Sequence, residues 1–378
     1  MKIALFMSSL FDYSALYCKK EVLIIKKNST QYRMWLKHRG IKIERKRTRK
    51  KAALKAKKRN KINHNLKLKK ELLYNPATRD FIFKAPCIFS LLNNMDETCG
   101  FFRKIISFIS DRRNYGKSLF IDLSDITNLT IDSLIYLLAI INNLTTHLRH
   151  NFSFSGNVPT CESARKLFNE SGFRSFVKFR EKEQLNRSTN NLQIVSGNNC
   201  DTEIAKRMCD FVGEKAKIAG TCSPFLYIMM IEFMSNTQKH AYNGNYLLNP
   251  MWYCFAEYRE QDNIIAFTFM DTGEGIPTTV RKNFAERIDF LRIKGEDKYV
   301  ISALDGEFRT STKQTYRGKG LPKIREFCSE QKIQKMRIIT NKADVIVNSD
   351  GYKSQVIDYP LLGTLFYWQV NLSKLKGE

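Results

Sequence analysis

The sequence predicts an α/β protein, built as two globular parts behind a basic leader. From about residue 80, apolar runs of strand character alternate with apolar patterns of helical spacing, the order expected of an α/β unit. A polar stretch rich in Asn and Ser over 181–200 then interrupts the pattern, as a linker or long loop between domains does. Beyond it a second series of helices and strands runs to the end. A chain of 378 residues is long enough for two such domains.

Each element has its own signal. Phe81-Ile-Phe-Lys84 reads as a strand, and Met95 to Ser110 as a helix with Phe101, Phe102, Ile105, Ile106 and Ile109 at helical spacing. Ser118 to Leu123 is an apolar run ending in turn residues, as in a buried strand. Asp132 to Leu148 reads as an apolar helix, and 151–156 as an alternating strand. Ser163 to Ser171 reads as a short helix closed by Gly172. In the second part, Cys200 to Ala216 has a helical pattern. Ser223 and Pro224 then suit the start of a helix reaching about Ala241, apolar nearly all round and therefore expected to be buried. Met251–Tyr258 and Asn263–Met270 read as a strand hairpin, and Thr278 to Leu291 as a helix. Lys294 to Arg317 is an extended polar stretch, longer than an ordinary connection and of the kind that forms lids or stays disordered. A helix to Ser329 follows, then strands near 336–340, 344–348 and 353–357, and an aromatic strand beginning at Gly363-Thr364.

The formal charge of +26 is localised. Residues 37–70 carry 17 Lys/Arg against one Glu. Few apolar residues recur on one face there, so residues 1–75 are expected to form a solvated, mostly disordered arm, although the composition tolerates helix. Dense Lys/Arg attracts polyphosphate, either nucleic acid or anionic lipid. The expectation is non-specific RNA or DNA binding through 40–70, where no aromatic residue is available for base stacking. Nine scattered cysteines without a Cys-x-x-Cys pair argue against a zinc ribbon and for reduced thiols in a cytoplasm. No apolar run is long enough for a membrane helix. Met1 to Leu10 has the outline of a weak signal peptide, but Asp12 breaks it and no small-residue cleavage site follows; Met34 is an alternative start.

Three short pieces carry the chemistry. On the buried helix, Glu232 and Asn236 stand four residues apart and so share a face. A buried Glu is costly without a task or a partner, and Asn offers a hard amide oxygen of the type Mg²⁺ accepts. The pair therefore reads either as a water-orienting base with a metal ligand, or as a salt-bridged Glu beside a satisfied core Asn. Next, a strand empties into Asp271-Thr-Gly273-Glu-Gly275-Ile276. Its glycines allow positive φ and close approach of a flat ring, and Asp271 could accept a hydrogen bond from the exocyclic amine of adenine. Last, Gly318-Lys319-Gly320-Leu321 opens a helix, where free backbone N–H groups and the helix dipole favour an anion. Arg309, Arg317 and Lys319 add positive charge for the β- and γ-phosphates, or else form a solvated face.

In this order the pieces resemble the GHKL ATPase family of gyrase B, Hsp90, histidine kinases and MutL. Glu232-x-x-x-Asn236 is similar to its N-box, Asp271-x-Gly273-x-Gly275 to its first glycine box and Gly318-x-Gly320-Leu321 to its second. Gly363-Thr364 is similar to the Gly-Thr that supports the adenine-binding Asp. The helix end Asn236-Thr-Gln-Lys-His240-Ala-Tyr most resembles the anti-sigma-factor serine-kinase branch. The resemblance implies that residues 201–378 form an α/β two-layer sandwich with a mixed sheet, holding ATP between helices and lid. It implies Glu232 as general base, Asn236 as Mg²⁺ ligand and Asp271 as adenine reader, with Ile276, Arg317, Lys319, Leu321 and Thr364 around the nucleotide. Members commonly dimerise, so a homodimer is an expected assembly.

The earlier segment FIDLSDITNLTIDSL, with FSFSGNVPTCESARKLFNESGF after it, resembles the STAS domain of anti-sigma-factor antagonists over about 76–180. In that family a serine after an aspartate at a helix start can be phosphorylated. Asp132-Ser133 takes that place, with Leu134 and Ile135 where the family has a small residue and a glycine, so Ser133 reads as a helix-start residue. Three functions compete: an ATP-hydrolysing switch that changes its contacts with a protein partner, a serine kinase acting on a STAS-like partner, and a nucleotide-binding scaffold. The first is preferred. A sensor histidine kinase is disfavoured, because none of the five His lies in a His-Glu/Asp-x-x-x-Pro helix.

Overall fold

The computed structural model describes residues 13–18, 21–26, 30–71, 73–147, 152–177, 188–218, 224–240, 251–308 and 320–375. The chain divides into two compact units, Met1–Glu71 and Leu72–Glu378. The first contains a hairpin of β1 (Tyr13–Cys18) and β2 (Glu21–Lys26), then one continuous helix, α1 (Thr30–Glu71). The expected disordered arm is therefore helical from Thr30 onward. Ala, Lys, Arg and Leu are good helix formers, and no proline interrupts the run.

The second unit begins with β3 (Leu73–Asn75), β4 (Asp80–Lys84), β5 (Ile88–Phe89) and α2 (Met95–Ile109). It continues through β6 (Lys117–Asp122), β7 (Asn128–Leu129), α3 (Ile131–His147), β8 (Phe152–Gly156) and α4 (Glu162–Glu170). The predicted alternation of strand and helix is thus present. The sheet order is β3-β4-β6-β8, with β4, β6 and β8 parallel and β3 antiparallel at the edge. Gly172 takes φ +82 just after α4, the left-handed residue that ends a helix.

The chain then runs through β9 (Asn191–Gly197), α5 (Thr202–Ala216), α6 (Pro224–His240), β10 (Trp252–Arg259) and β11 (Ile264–Asp271). Helices α7 (Ile276–Asn283), α8 (Ala285–Leu291), α9 (Glu296–Leu304) and α10 (Gly320–Ser329) follow. Strands β12 (Gln334–Val347) and β13 (Tyr352–Asn371) and a last turn, α11 (Leu372–Leu375), complete it. Asp201 caps α5 by accepting from the N–H groups of Glu203 and Ile204.

Four expectations need correction. Residues 191–197, read as linker, form β9 and pair with β10; a bulge lets Leu192 and Val195 pack on one face of the sheet and Ile194 on the other, so no simple alternation marks this short edge strand in its polar stretch. The helix expected over 278–291 is broken at Phe284, and the polar stretch after it holds α9. The strands expected separately near 336–340 and 344–348 form one strand, bent by register shifts around Asn341, and 353–357 joins the final strand in β13. The C-terminal sheet, expected to be mixed, is antiparallel at every pairing, in the order β12-β13-β11-β10-β9; the parallel pairings lie in the N-terminal part. Hairpin connections at β10–β11 and β12–β13 produce that arrangement.

The five-stranded sheet is covered on both faces. Helices α5, α6 and α10 pack on one face against Cys254, Phe267, Phe269, Phe366 and Trp368. Helices α2 and α3 pack on the other, against Tyr253, Phe255, Met270, Ile339 and Leu365. Residues 252–256 and 264–270 are accordingly buried without alternation. The expected two-layer sandwich is in this chain one face of a thicker stack, in which the N-terminal elements supply the second cover. Among the described residues no helix is long and apolar enough to cross a membrane, and no disulfide links the cysteines.

Candidate functional site

The final residue of β11 carries the central group. Asp271 lies opposite Thr364 of β13 in the ladder. Its carboxylate accepts from the Gly273 N–H at 2.8 Å. Burial pushes the Asp271 carboxyl up to about 6, against the opposing pull of that N–H and of the neighbouring Thr364 hydroxyl and N–H. The Thr364 hydroxyl lies 3.1 Å from that of Thr340, which in turn is 3.0 Å from the Gly363 carbonyl and accepts from the Ile276 N–H at 3.1 Å. The loop that follows Asp271 is thus tied to two strands beside it.

Two glycines permit this closeness. Gly363 has φ +86, and a Cβ on it would lie 1.9 Å from the Asp271 carbonyl oxygen. Gly275 has φ +85, and a Cβ there would meet the Asn341 side chain at 2.5 Å. Asn341 holds the loop from the other side. Its Nδ2 donates to the Glu274 carbonyl at 3.0 Å, and its Oδ1 accepts from the Thr278 hydroxyl at 3.0 Å. Thr340 and Asn341 belong to no motif of the sequence; their only signal is a short polar break between two apolar strands. Ile276 and Pro277 then open α7 directly after Gly275.

Helix α6 brings the second group. Glu232 and Asn236 are both half-buried, one turn apart. Between them Phe233 stacks on Phe366 with ring centroids 4.2 Å apart, and lies 5.1 Å from Phe269. These rings belong to the strands that carry Asp271 and Thr364, so the helix is fixed on the same two strands as the loop. The third group meets the second at the first residue of α10. A Cβ on Gly320 would fall 2.6 Å from Glu232 Oε2, so the carboxylate rests against the start of that helix. Leu321 and Ile276 pack into one small apolar cluster with Val280, Ile288, Ala303 and Phe308. That cluster joins the beginnings of α7 and α10.

Of the predicted residues, Asp271, Gly273, Gly275, Ile276 and Thr364 therefore form one network. Glu232 touches Gly320, Leu321 touches the cluster of Ile276, and Asn236 lies one turn beyond Glu232. Arg309, Arg317, Gly318 and Lys319 lie outside the described residues. A separate cavity of about 500 Å³ opens between the N-terminal elements and the far face of the sheet, lined by Asp132, Arg259, Arg337 and Tyr367 among others. None of the predicted site residues lines it.

The N-terminal part reaches this site through its own helix. Tyr136 of α3 is buried and accepts a hydrogen bond from the Leu362 N–H at 3.0 Å, one residue before Gly363. Ser133 is fully buried and donates to the Phe89 carbonyl, and Asp132 accepts from the N–H groups of Leu91 and Leu92. Both side chains are thus occupied in fixing the start of α3. Among the described residues no group of three or more His, Cys, Asp or Glu could hold a metal ion by itself. The chain matches no protein-family model and no curated protein.

Proposed function

We propose that residues 201–378 bind Mg-ATP in the manner of the GHKL ATPases and hydrolyse it, with a STAS-like N-terminal part on the same chain acting as a regulatory cover. The observation that carries this reading is the Asp271 network. Its carboxylate accepts the Gly273 N–H and lies opposite Thr364 in the ladder. An ionised carboxylate has about four acceptor sites, so capacity remains for a donor from a ligand, and the exocyclic amine of adenine is such a donor. The glycines at 275 and 363 let the backbone of the loop and of β13 come close beside that carboxylate, as the approach of a flat ring requires.

Support for the phosphate end comes from α6 and α10. The absence of a Cβ at Gly320 lets a helix N-terminus approach Glu232, so N–H groups and a carboxylate converge as a terminal phosphate and its attacking water require. Asn236 would hold Mg²⁺ through its amide oxygen, with waters and phosphate oxygens completing the shell. When bound, the ion neutralises phosphate charge. Glu232 would orient and deprotonate the water. Burial of Ser133 counts against that hydroxyl as a phosphate acceptor and leaves the kinase alternative dependent on a separate STAS-like partner.

The test is a titration of the full chain with Mg-ATP by calorimetry, followed by product analysis with labelled nucleotide. Saturable binding with free phosphate and unlabelled protein is expected. Absence of binding at millimolar ATP overturns the reading; binding without turnover reduces it to a scaffold; label on an added partner protein makes it a kinase. Glu232→Ala is expected to bind ATP with near wild-type affinity and to release no phosphate above background, and normal turnover would remove Glu232 from the base role.

Asp271→Asn tests the purine end. It should weaken ATP binding by about 1.5–3 kcal/mol, the worth of a hydrogen bond to a charged group. The same carboxyl makes the ligand-free protein pH-sensitive. Its folded pKa, about 6, lies above the ordinary value of 3.8, so its contribution to stability is complete below pH 3.8 and is lost as pH rises through 6. The loss amounts to about 3 kcal/mol. Urea unfolding of the Asn variant at pH 4 and pH 7 should show that part of the pH dependence removed; an unchanged difference would show that Asp271 is not the group responsible.

A further inference from the structure

We propose that α1 is a binding rod for the phosphate backbone of a nucleic-acid duplex. The inference does not depend on the ATP reading, because it rests on a different unit of the chain. The helix spans Thr30–Glu71, and at 1.5 Å per residue the basic run over 37–70 extends about 51 Å. A B-form duplex of that length carries about 30 phosphate charges. The helix opposes them with 17 Lys/Arg against one Glu.

The distribution of those charges selects the partner. Every residue from 36 to 56 is exposed, and the cations there include Lys37, Arg39, Lys42, Arg45, Arg47 and Lys50. At 100° per residue they fall on all sides of the helix. The exposed apolar residues divide between two opposite sides: Met34 and Ile41 on one, Leu36, Ile43 and Leu54 on the other. Cations separate the two sides. A bilayer surface requires a single apolar face, and the described side chains of this helix form none. A coiled coil requires one continuous apolar seam, which is also missing among the described side chains. A helix charged all round instead suits a groove with phosphates on both walls, and the major groove of B-form DNA is wide enough for a helix, whereas that of an A-form RNA duplex is narrow. No aromatic residue occurs between 37 and 70, so contact is with the backbone and not with stacked bases, which disfavours single strands.

The state of the helix is itself informative. Lysines and arginines three and four residues apart repel each other and weaken an isolated helix. Counterions held near the helix relieve that repulsion, and a phosphate backbone does so more fully, releasing its own condensed counterions in exchange.

The experiment uses the full chain and fluorescein-labelled 30-base-pair duplexes of random sequence, one DNA and one RNA, in an anisotropy titration across KCl concentrations. If about half of the 17 cations contact phosphate, the slope of log K against log salt is expected near −7. Different duplex sequences should bind within about threefold of one another, as backbone contacts imply. Simultaneous change of Arg45, Lys46, Arg47, Arg49, Lys50 and Lys51 to Gln keeps good helix formers in place. At 100 mM KCl it should weaken binding at least 100-fold, since each lost phosphate contact is worth up to about tenfold there. Circular dichroism and thermal unfolding of the variant confirm that it is folded. Tighter binding of the DNA duplex than of the RNA duplex is expected from the groove widths, and binding of RNA but not DNA overturns the groove placement. A slope shallower than about −3, undiminished binding by the Gln variant, tighter binding to single strands, or equal affinity for phosphatidylserine vesicles each overturns the proposal.

Discussion

Replacing Gly363 by alanine is expected to destabilise the second unit by at least about 3 kcal/mol and to abolish the proposed nucleotide binding. The added Cβ would stand 1.9 Å from the Asp271 carbonyl oxygen, 2.9 Å from its carbon and 3.1 Å from Thr272 Cα. All three are backbone atoms, so no side chain can swing aside. The residue also has φ +86, a conformation that costs an L-residue about 1–2 kcal/mol before any clash. Relief requires β11 and β13 to part at Asp271 and Thr364, the pair on which the candidate adenine site stands. The Leu362 N–H is held by Tyr136, so the strand cannot shift alone without leaving that buried hydroxyl and amide unpaired. Gly351→Ala is the control: nothing lies within 4 Å of where its Cβ would stand, and the change should stay within about 0.5 kcal/mol. Urea denaturation of both variants, with ATP calorimetry, checks the pair. A Gly363→Ala protein with wild-type stability would mean that the two strand ends are not in contact.

Removing the Asp344 carboxylate should be comparably severe. The Asp344 side chain is 3% exposed and that of Arg337 17%, and they meet through two bonds of 2.8 Å. Gln355 donates to the same carboxylate at 2.7 Å. Arg337 also donates to the Leu92 carbonyl, which ties β12 to the segment preceding α2. Asp344→Ala leaves a largely buried guanidinium without its partner, and breaking such pairs costs about 3–5 kcal/mol. The small exposure of Arg337 admits some water, so a loss near the lower end, about 3 kcal/mol, is expected by chemical denaturation. Replacing both partners, as Arg337→Met with Asp344→Leu, should recover most of that loss, because the penalty comes from the orphaned charge. A double variant as unstable as the single one would instead assign the cost to packing around Asp344.

Much of this arrangement is legible in the sequence. Helical spacing locates α2, α3 and α6, because an apolar stripe must repeat where the helix turns toward a core. Turn chemistry locates the Asp271–Gly275 loop, because glycine is the residue that takes left-handed backbone without strain, whereas Gly363 is marked in the sequence only by the resemblance of Gly363-Thr364 to a Gly-Thr pair. The single helix over Thr30–Glu71 is not legible in the same way, since a charge-rich run with no apolar face offers no packing signal, and only intrinsic propensity favours helix there. β9 is hidden for a related reason: Asn and Ser dominate its surroundings, and its pairing with β10 is what makes it a strand. The uninterrupted apolar residues of β10 and β11 carry one further signal. A sheet with one wet face alternates, so runs such as Trp252–Ala256 require a cover on both faces.

By itself the sequence determined the main helices and strands of the globular part, the dense charge of the basic run and the glycine-rich turn after Asp271. These are local matters, decided by periodicity, charge and backbone sterics within a few residues. Only the tertiary structure decided that Gly320 lies against Glu232, that Thr364 faces Asp271, that Asn341 braces the loop, and that α3 closes the back of the sheet with Ser133 buried beneath it. Each joins residues far apart in the chain, and such meetings follow from how large apolar faces fit together, which local patterns do not specify.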